Sequence, residues 1–184
     1  TLFRMVRDGK LSKEEAAKII LIKIRDLPDQ PYFYETMLKC YTLRKDLKIC
    51  QAHGRVFCPD CTKSGVTEGW VDFNLYTLGK RDVVVCDSGS QLSTSVMSYL
   101  CKGQSIDFAP TWDEYMPMKQ ILSSILSIVQ AGTTNHVWIT HVLIHDEILD
   151  VNKTAKETKD RFYPLIGTKS FSMNCGKYFG TIIH

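Results

Sequence analysis

The sequence predicts an α+β domain: N-terminal helices, a zinc-knuckle-like loop, then a mostly antiparallel sheet with at least one packed helix. Three observations carry this. Capping boxes open helices at Ser12 and Thr111, β-branched runs near 71–86 and 137–145 read as strands, and a Cys/His cluster spans residues 50–61. At 184 residues, 44% hydrophobic and 23% charged, the chain can build a core unaided, so a metal here would organise one local element. The length suits a single domain, 1–184, with 1–65 as a helical plus zinc-loop N-terminal part and 66–184 as the main α+β part.

Taking the elements in order, Ser12-Lys13-Glu14-Glu15 can exchange side-chain and backbone hydrogen bonds across a helix start. Ala16, Ile19, Ile20 and Ile24 then recur at helical spacing, which predicts a helix over 13–26 ending before Pro28. A second helix is expected after Pro31, with Phe33, Met37, Cys40 and Tyr41 on one face. The alternation Val71, Phe73, Leu75, the Gly79-Lys80 turn and the run Asp82 to Cys86 together read as a hairpin. Residues 91–101 fit helix or strand. Thr111-Trp112-Asp113-Glu114 opens a helix running to Gly132, in which Pro117 suits only the first turn. Residues 137–145 are expected to form a central strand, Lys153 to Lys159 a solvated helix or loop, and Phe171, Tyr178, Phe179 and Ile182 a β-like tail.

No stretch has the roughly 20 apolar residues that a membrane span needs. The N-terminus lacks the pattern of a signal peptide, and the chain opens on Thr1 rather than Met, which reads as a processed product or an excised piece. Seven cysteines, four of them between Cys40 and Cys61, resemble metal ligation in a reducing compartment more than a disulfide framework. The expected location is therefore intracellular, cytoplasm or nucleus. Asn152-Lys153-Thr154 would be a glycosylation acceptor only in a secreted protein.

The metal reading rests on Cys50, His53, Cys58 and Cys61. These form a Cys-x2-His pair and a Cys-x2-Cys pair four residues apart. The x2 spacing lets two side chains converge on one tetrahedral ion, and Gly54 and Pro59 stand where such turns favour them. Four protein ligands close the coordination sphere, so the expected ion is a structural Zn2+ rather than a catalytic one. The short connector Arg55-Val56-Phe57 leaves a variant open in which Cys40 or Cys86 supplies one ligand. Cys40 itself, on an apolar helix face, reads as a core thiol. A deaminase site is excluded, because it needs a Glu two residues after the ligand His and Arg55 stands there.

Charge points to a partner. Residues 1–63 carry 13 Lys/Arg against 8 Asp/Glu, a net +5, whereas residues 64–184 carry 10 against 12. Lys39, Arg44, Lys45, Lys48, Arg55 and Lys63 surround the cluster, with Tyr41 and Phe57 among them. Cations and an aromatic on one loop can hold phosphate and stack on unpaired bases, so nucleic acid, RNA ahead of DNA, is the expected partner, with a protein as the other candidate.

Two further sets of residues bear on chemistry. His136, His141 and His145, with Asp146 and Glu147, invite a metal site, but in a strand His141 and His145 lie roughly 13 Å apart. The segment Val83-Val84-Val85-Cys86 followed by Asp87-Ser88-Gly89-Ser90 resembles the active-site segment of retroviral-type aspartic proteases. Leu165-Ile166-Gly167 is similar to their later apolar-apolar-Gly element. That resemblance implies a dimer in which two copies of Asp87 share one proton. It would also need a β-rich flap between the two elements, where this chain has the Thr111-capped helix. The preferred reading is a non-enzymatic, zinc-stabilised binding protein, and the protease is the alternative.

Overall fold

Seven α-helices and six strands follow one another along the described residues, 2–27, 30–65, 68–105, 107–148 and 158–181 of this computed structural model. They are α1 Leu2–Arg7, α2 Lys13–Ala17, α3 Tyr32–Thr42, β1 Leu47–Cys50, α4 Pro59–Lys63, β2 Trp70–Phe73, β3 Val83–Asp87, α5 Gly89–Leu100, α6 Trp112–Ala131, β4 Asn135–Ile139, β5 Val142–Ile148, β6 Thr158–Pro164 and α7 Lys169–Asn174. The strands form three pairs: β1–β2 and β5–β6 antiparallel, β3–β4 parallel. The α+β class is as the sequence predicts. No helix among the described residues is long and apolar enough to cross a membrane.

The main core lies between α5 and α6. Leu92 and Val96 of α5 meet Met118, Leu122, Ile125 and Leu126 of α6, and Ile166 and Phe171 close the far side. Both helices start on a capping side chain: Ser88 Oγ accepts from the Gln91 amide, and Glu114 accepts from the Thr111 amide at 2.7 Å. Pro117 is tolerated inside α6, six residues after the cap rather than in its first turn. Residues 91–101, open to either reading in the sequence, lie within and just after α5. Leu92, Ser93 and Val96 share its buried face at three- and four-residue spacing.

Several expectations are corrected. The Ser12 capping box forms, with Glu15 accepting from the Ser12 amide at 2.8 Å, but its helix stops at Ala17 instead of 26. From there the chain runs extended, and Ile19, Ile20 and Leu21 are exposed while Ile22, Ile24 and Asp26 face inward. Asp26 fixes this strap: its carboxylate accepts from the Phe33 amide, Ser95 Oγ and Gln91 Nε2 at 2.8, 3.1 and 3.2 Å. Tertiary hydrogen bonds override the helical spacing of the isoleucines.

The hairpin expected across 71–86 does not exist. Its first strand pairs with β1 and its second with β4, so the Gly79-Lys80 turn joins two different sheets. The single strand expected at 137–145 is split at Thr140-His141, because Ser90 Oγ takes the His141 amide at 2.9 Å where the chain leaves β4 for β5. Neither half is central, since each belongs to a two-stranded pair among the described residues. The C-terminal tail is helical: Thr168 Oγ1 caps α7 by accepting from the Phe171 amide, and a 3-10 turn at Cys175–Tyr178 follows. Ile182 and the Asn152-Lys153-Thr154 sequon lie outside the described residues, while Thr158 and Lys159 open β6.

Candidate metal centre

β1 delivers Cys50 into the turn that carries His53. The Gly54 amide donates to the Cys50 carbonyl at 2.8 Å, and the Cys50 amide donates to the Arg55 carbonyl at 3.0 Å. Ile49 bridges back to Val56, and the Phe57 amide reaches the Lys48 carbonyl at 2.9 Å, so residues 48–57 fold on themselves. Cys58 then stands at the N-cap position of α4, where Pro59 fits the first helical position and sets Cys61 two residues further on. Trp70, paired across the sheet with Cys50, packs over the three thiols.

Gly54 is conformationally required. Its φ is +67°, and a Cβ there would fall 2.6 Å from Ile24 Cγ1 and from the Lys23 carbonyl of the strap. Thr36 Oγ1 donates to the Gly54 carbonyl at 2.7 Å, tying the loop to α3 as well. Arg55 lies along the Tyr32 ring, its Cζ 4.2 Å from the centroid, and pairs with Asp60 at 3.1 Å.

Cys50, His53, Cys58 and Cys61 are positioned to bind one metal ion. Their four ligand atoms lie within 4.8 Å of one another, and the three cysteines are buried. The sulfurs of Cys50, Cys58 and Cys61 stand 3.8, 3.5 and 3.4 Å from His53 Nδ1. One ring nitrogen cannot satisfy three thiols by hydrogen bonding. Bonds of about 2.3 Å to sulfur and 2.0–2.1 Å to nitrogen in a tetrahedron set those atoms about 3.6 Å apart, so the observed spacing fits a shared ion.

The thiols ionise unequally. Burial raises Cys58, but the Cys61 amide and the facing Cys50, Cys61 and His53 groups outweigh it and bring it to about 7. Burial and the neighbouring thiols push Cys61 up to about 12. Once one thiolate has formed, its neighbours resist losing their protons, and a dication at the centre would remove that resistance.

The fourth metal-capable side chain of the group is local. Cys40 sits in an apolar cluster with Leu47, Ile49 and Val56, and Cys86 lies in the main core. Burial pushes both thiols up to about 12. Among the described residues the 50–61 group is the one set of three or more metal-capable side chains. His136 turns its Nδ1 toward Tyr41 Oη at 3.3 Å, and His141 is exposed between β4 and β5.

Of the six predicted partner-binding cations, two are engaged: Lys48 with Asp72 at 2.9 Å and Arg55 with Asp60. Lys39, Arg44, Lys45 and Lys63 have no ion pair among the described residues, and all but half-buried Lys39 are exposed. Arg44 lies 5.2 Å from the Tyr76 centroid and Lys45 5.4 Å from that of Phe57. Tyr41 does not belong to this surface, being only 2% exposed. Tyr76 does, at 41% exposed, and sequence reasoning missed it because it was assigned to a hairpin. The signal was Asn74, whose side chain caps a 3-10 turn that leaves the Tyr76 ring part-exposed, its hydroxyl donating to the Tyr41 carbonyl.

Asp87 ends β3 exposed and leads directly into α5. The Leu165–Gly167 element comes beside it: Ser90 Oγ donates to the Leu165 carbonyl at 2.6 Å, and the Gly167 amide donates to Ser93 Oγ at 2.7 Å. Compared with known proteins, the chain has no significant match to a family model, a curated protein or a solved structure.

Proposed function

We propose that the chain is a non-enzymatic, zinc-stabilised binding module whose metal loop presents a cationic surface to nucleic acid, RNA ahead of DNA. Zinc is the ion of choice for three thiolates and one imidazole in a closed tetrahedral set, and a closed set scaffolds rather than catalyses. The observation that carries the partner is the placement of Arg44, Lys45 and Lys63. They are exposed, without a carboxylate partner among the described residues, and displayed on or beside the segment the metal would order. Phosphate contacts from such cations position a nucleic acid without reading its sequence.

Binding of labelled RNA and DNA across a salt series tests this. A phosphate-driven complex weakens steeply with salt, and Lys45→Gln lowers the slope of log affinity against log salt by about one. Absence of binding even at low salt would overturn the nucleic-acid reading and make a protein the partner.

A dimeric retroviral-type aspartic protease using Asp87 is the second reading. Its one supporting observation is that the two resembling elements touch through Ser90 and Ser93. Against it, the Asp-Ser-Gly segment runs from the end of β3 straight into helix α5, which Ser88 caps. An Asp87→Asn variant that keeps every activity removes the protease; self-cleavage that is lost in that variant removes the binding module.

A further inference from the structure

We propose that Phe57 is a base-stacking platform and that the metal loop selects single-stranded over duplex nucleic acid; this rests on the nucleic-acid reading above. Phe57 is the only non-glycine residue with positive φ among the described residues, at 52°. A bulky side chain in the left-handed region is strained, and such strain persists only where the surroundings over-determine the backbone. Here the Phe57 amide is held by the Lys48 carbonyl, and the next residue is the ligand Cys58.

The strained backbone does not serve to bury the ring. Val56 and Cys58 on either side are 2% and 0% exposed, yet Phe57 is 49% exposed. The loop therefore holds an apolar ring in water at a position where glycine would be relaxed. A polar residue or glycine would serve a purely structural turn better.

Charge says what the ring meets. Lys45 Nζ lies 5.4 Å from its centroid, and the preceding residue, Arg44, lies over Tyr76, the second exposed ring of this surface. Two rings, each with a cation supplied by neighbouring residues 44 and 45, match a strand that alternates flat apolar faces with phosphates. A duplex stacks its bases on one another and offers this surface only phosphate. An acidic peptide would satisfy the cations and leave the rings bare.

The test uses the full chain loaded with zinc, a labelled oligouridylate, whose bases stack weakly on one another, and an RNA duplex of equal phosphate count. Phe57→Gly is the decisive variant, because glycine relieves the φ strain. Its thermal stability is expected to stay or rise, while affinity for the oligouridylate falls about tenfold to a hundredfold and duplex affinity stays within about twofold. Phe57→Trp should keep single-strand binding. Equal losses on both probes, or none on either, would overturn the platform while leaving nucleic-acid binding intact. No binding of either probe by the unaltered chain would overturn both readings.

Discussion

Ile49, Val56 and Cys58 in the metal loop are as buried as Leu122 and Leu126 in α6, all at 0–2% exposure, yet the two regions are held differently. Around α6 the buried side chains are mostly aliphatic and aromatic, with the thiols of Cys86 and Cys175 among them, and come chiefly from α3, α5, α6, α7 and Ile166. Their burial alone gives a cooperative core. At the loop's centre are three thiols and an imidazole, with Trp70 as the large apolar neighbour. Without an ion these groups bring little apolar area together, and the thiols hinder one another's ionisation, with Cys61 keeping its proton. One region is organised by exclusion of water, the other has the side chains for a cation to organise, and the strap over Gly54 joins them.

The largest expected effect separates the two. Structural zinc supplies about 10–16 kcal/mol to small zinc modules, far more than any single contact in this loop. Stripping the ion with a chelator should therefore expose the Cys50, Gly54 and Phe57 amides to fast hydrogen exchange while α6 amides stay protected. Simultaneous loss of protection in both regions would show that the core depends on the metal.

The converse experiment acts on the core. Leu126→Ala removes a fully buried side chain and is expected to cost about 2–5 kcal/mol in denaturant unfolding, with the zinc content of the folded protein unchanged. Gly54→Ala strikes the junction. Its new methyl would meet Ile24 and the Lys23 carbonyl, so a loss of about 1–3 kcal/mol is expected, together with weaker metal affinity. A variant that keeps full metal affinity would mean that loop and strap are independent.

The gentlest probe is pH. Metal binding must remove the Cys61 proton, held with burial as the main cause up to about 12, so ions and protons compete throughout the neutral range. Affinity should fall about tenfold per pH unit on acidification for each proton displaced. The fall should steepen below about 7, where the metal-free Cys58 also carries its proton. Competition titrations with a chromogenic chelator across that range would show the slope. A flat profile would mean that these thiols are not ligands.

The comparison also explains what the sequence made legible. Side chains at x2 spacing are brought together by local turns, so the metal-capable group Cys50, His53, Cys58 and Cys61 could be named from the chain alone. The Ser12 and Thr111 caps are equally local, and both formed. Pairing is not local. β2 and β3 look like a hairpin by composition, and only their distant partners β1 and β4 show that they belong to different sheets. The strap illustrates the same limit: its isoleucines fit a helix, but Asp26 is held by Ser95 and Gln91, some 65–69 residues later in the chain. Likewise Tyr41 and Tyr76 exchange places as buried and exposed rings, because the choice depends on which of them α5, α6 and His136 enclose.

Elemental analysis of the purified chain beside a Cys58→Ser, Cys61→Ser double variant tests the central claim most directly. The account predicts about one zinc per chain in the unaltered protein and essentially none in the variant, as expected for a closed four-ligand site. Equal zinc in the two, or none in either after refolding with excess zinc, would contradict it.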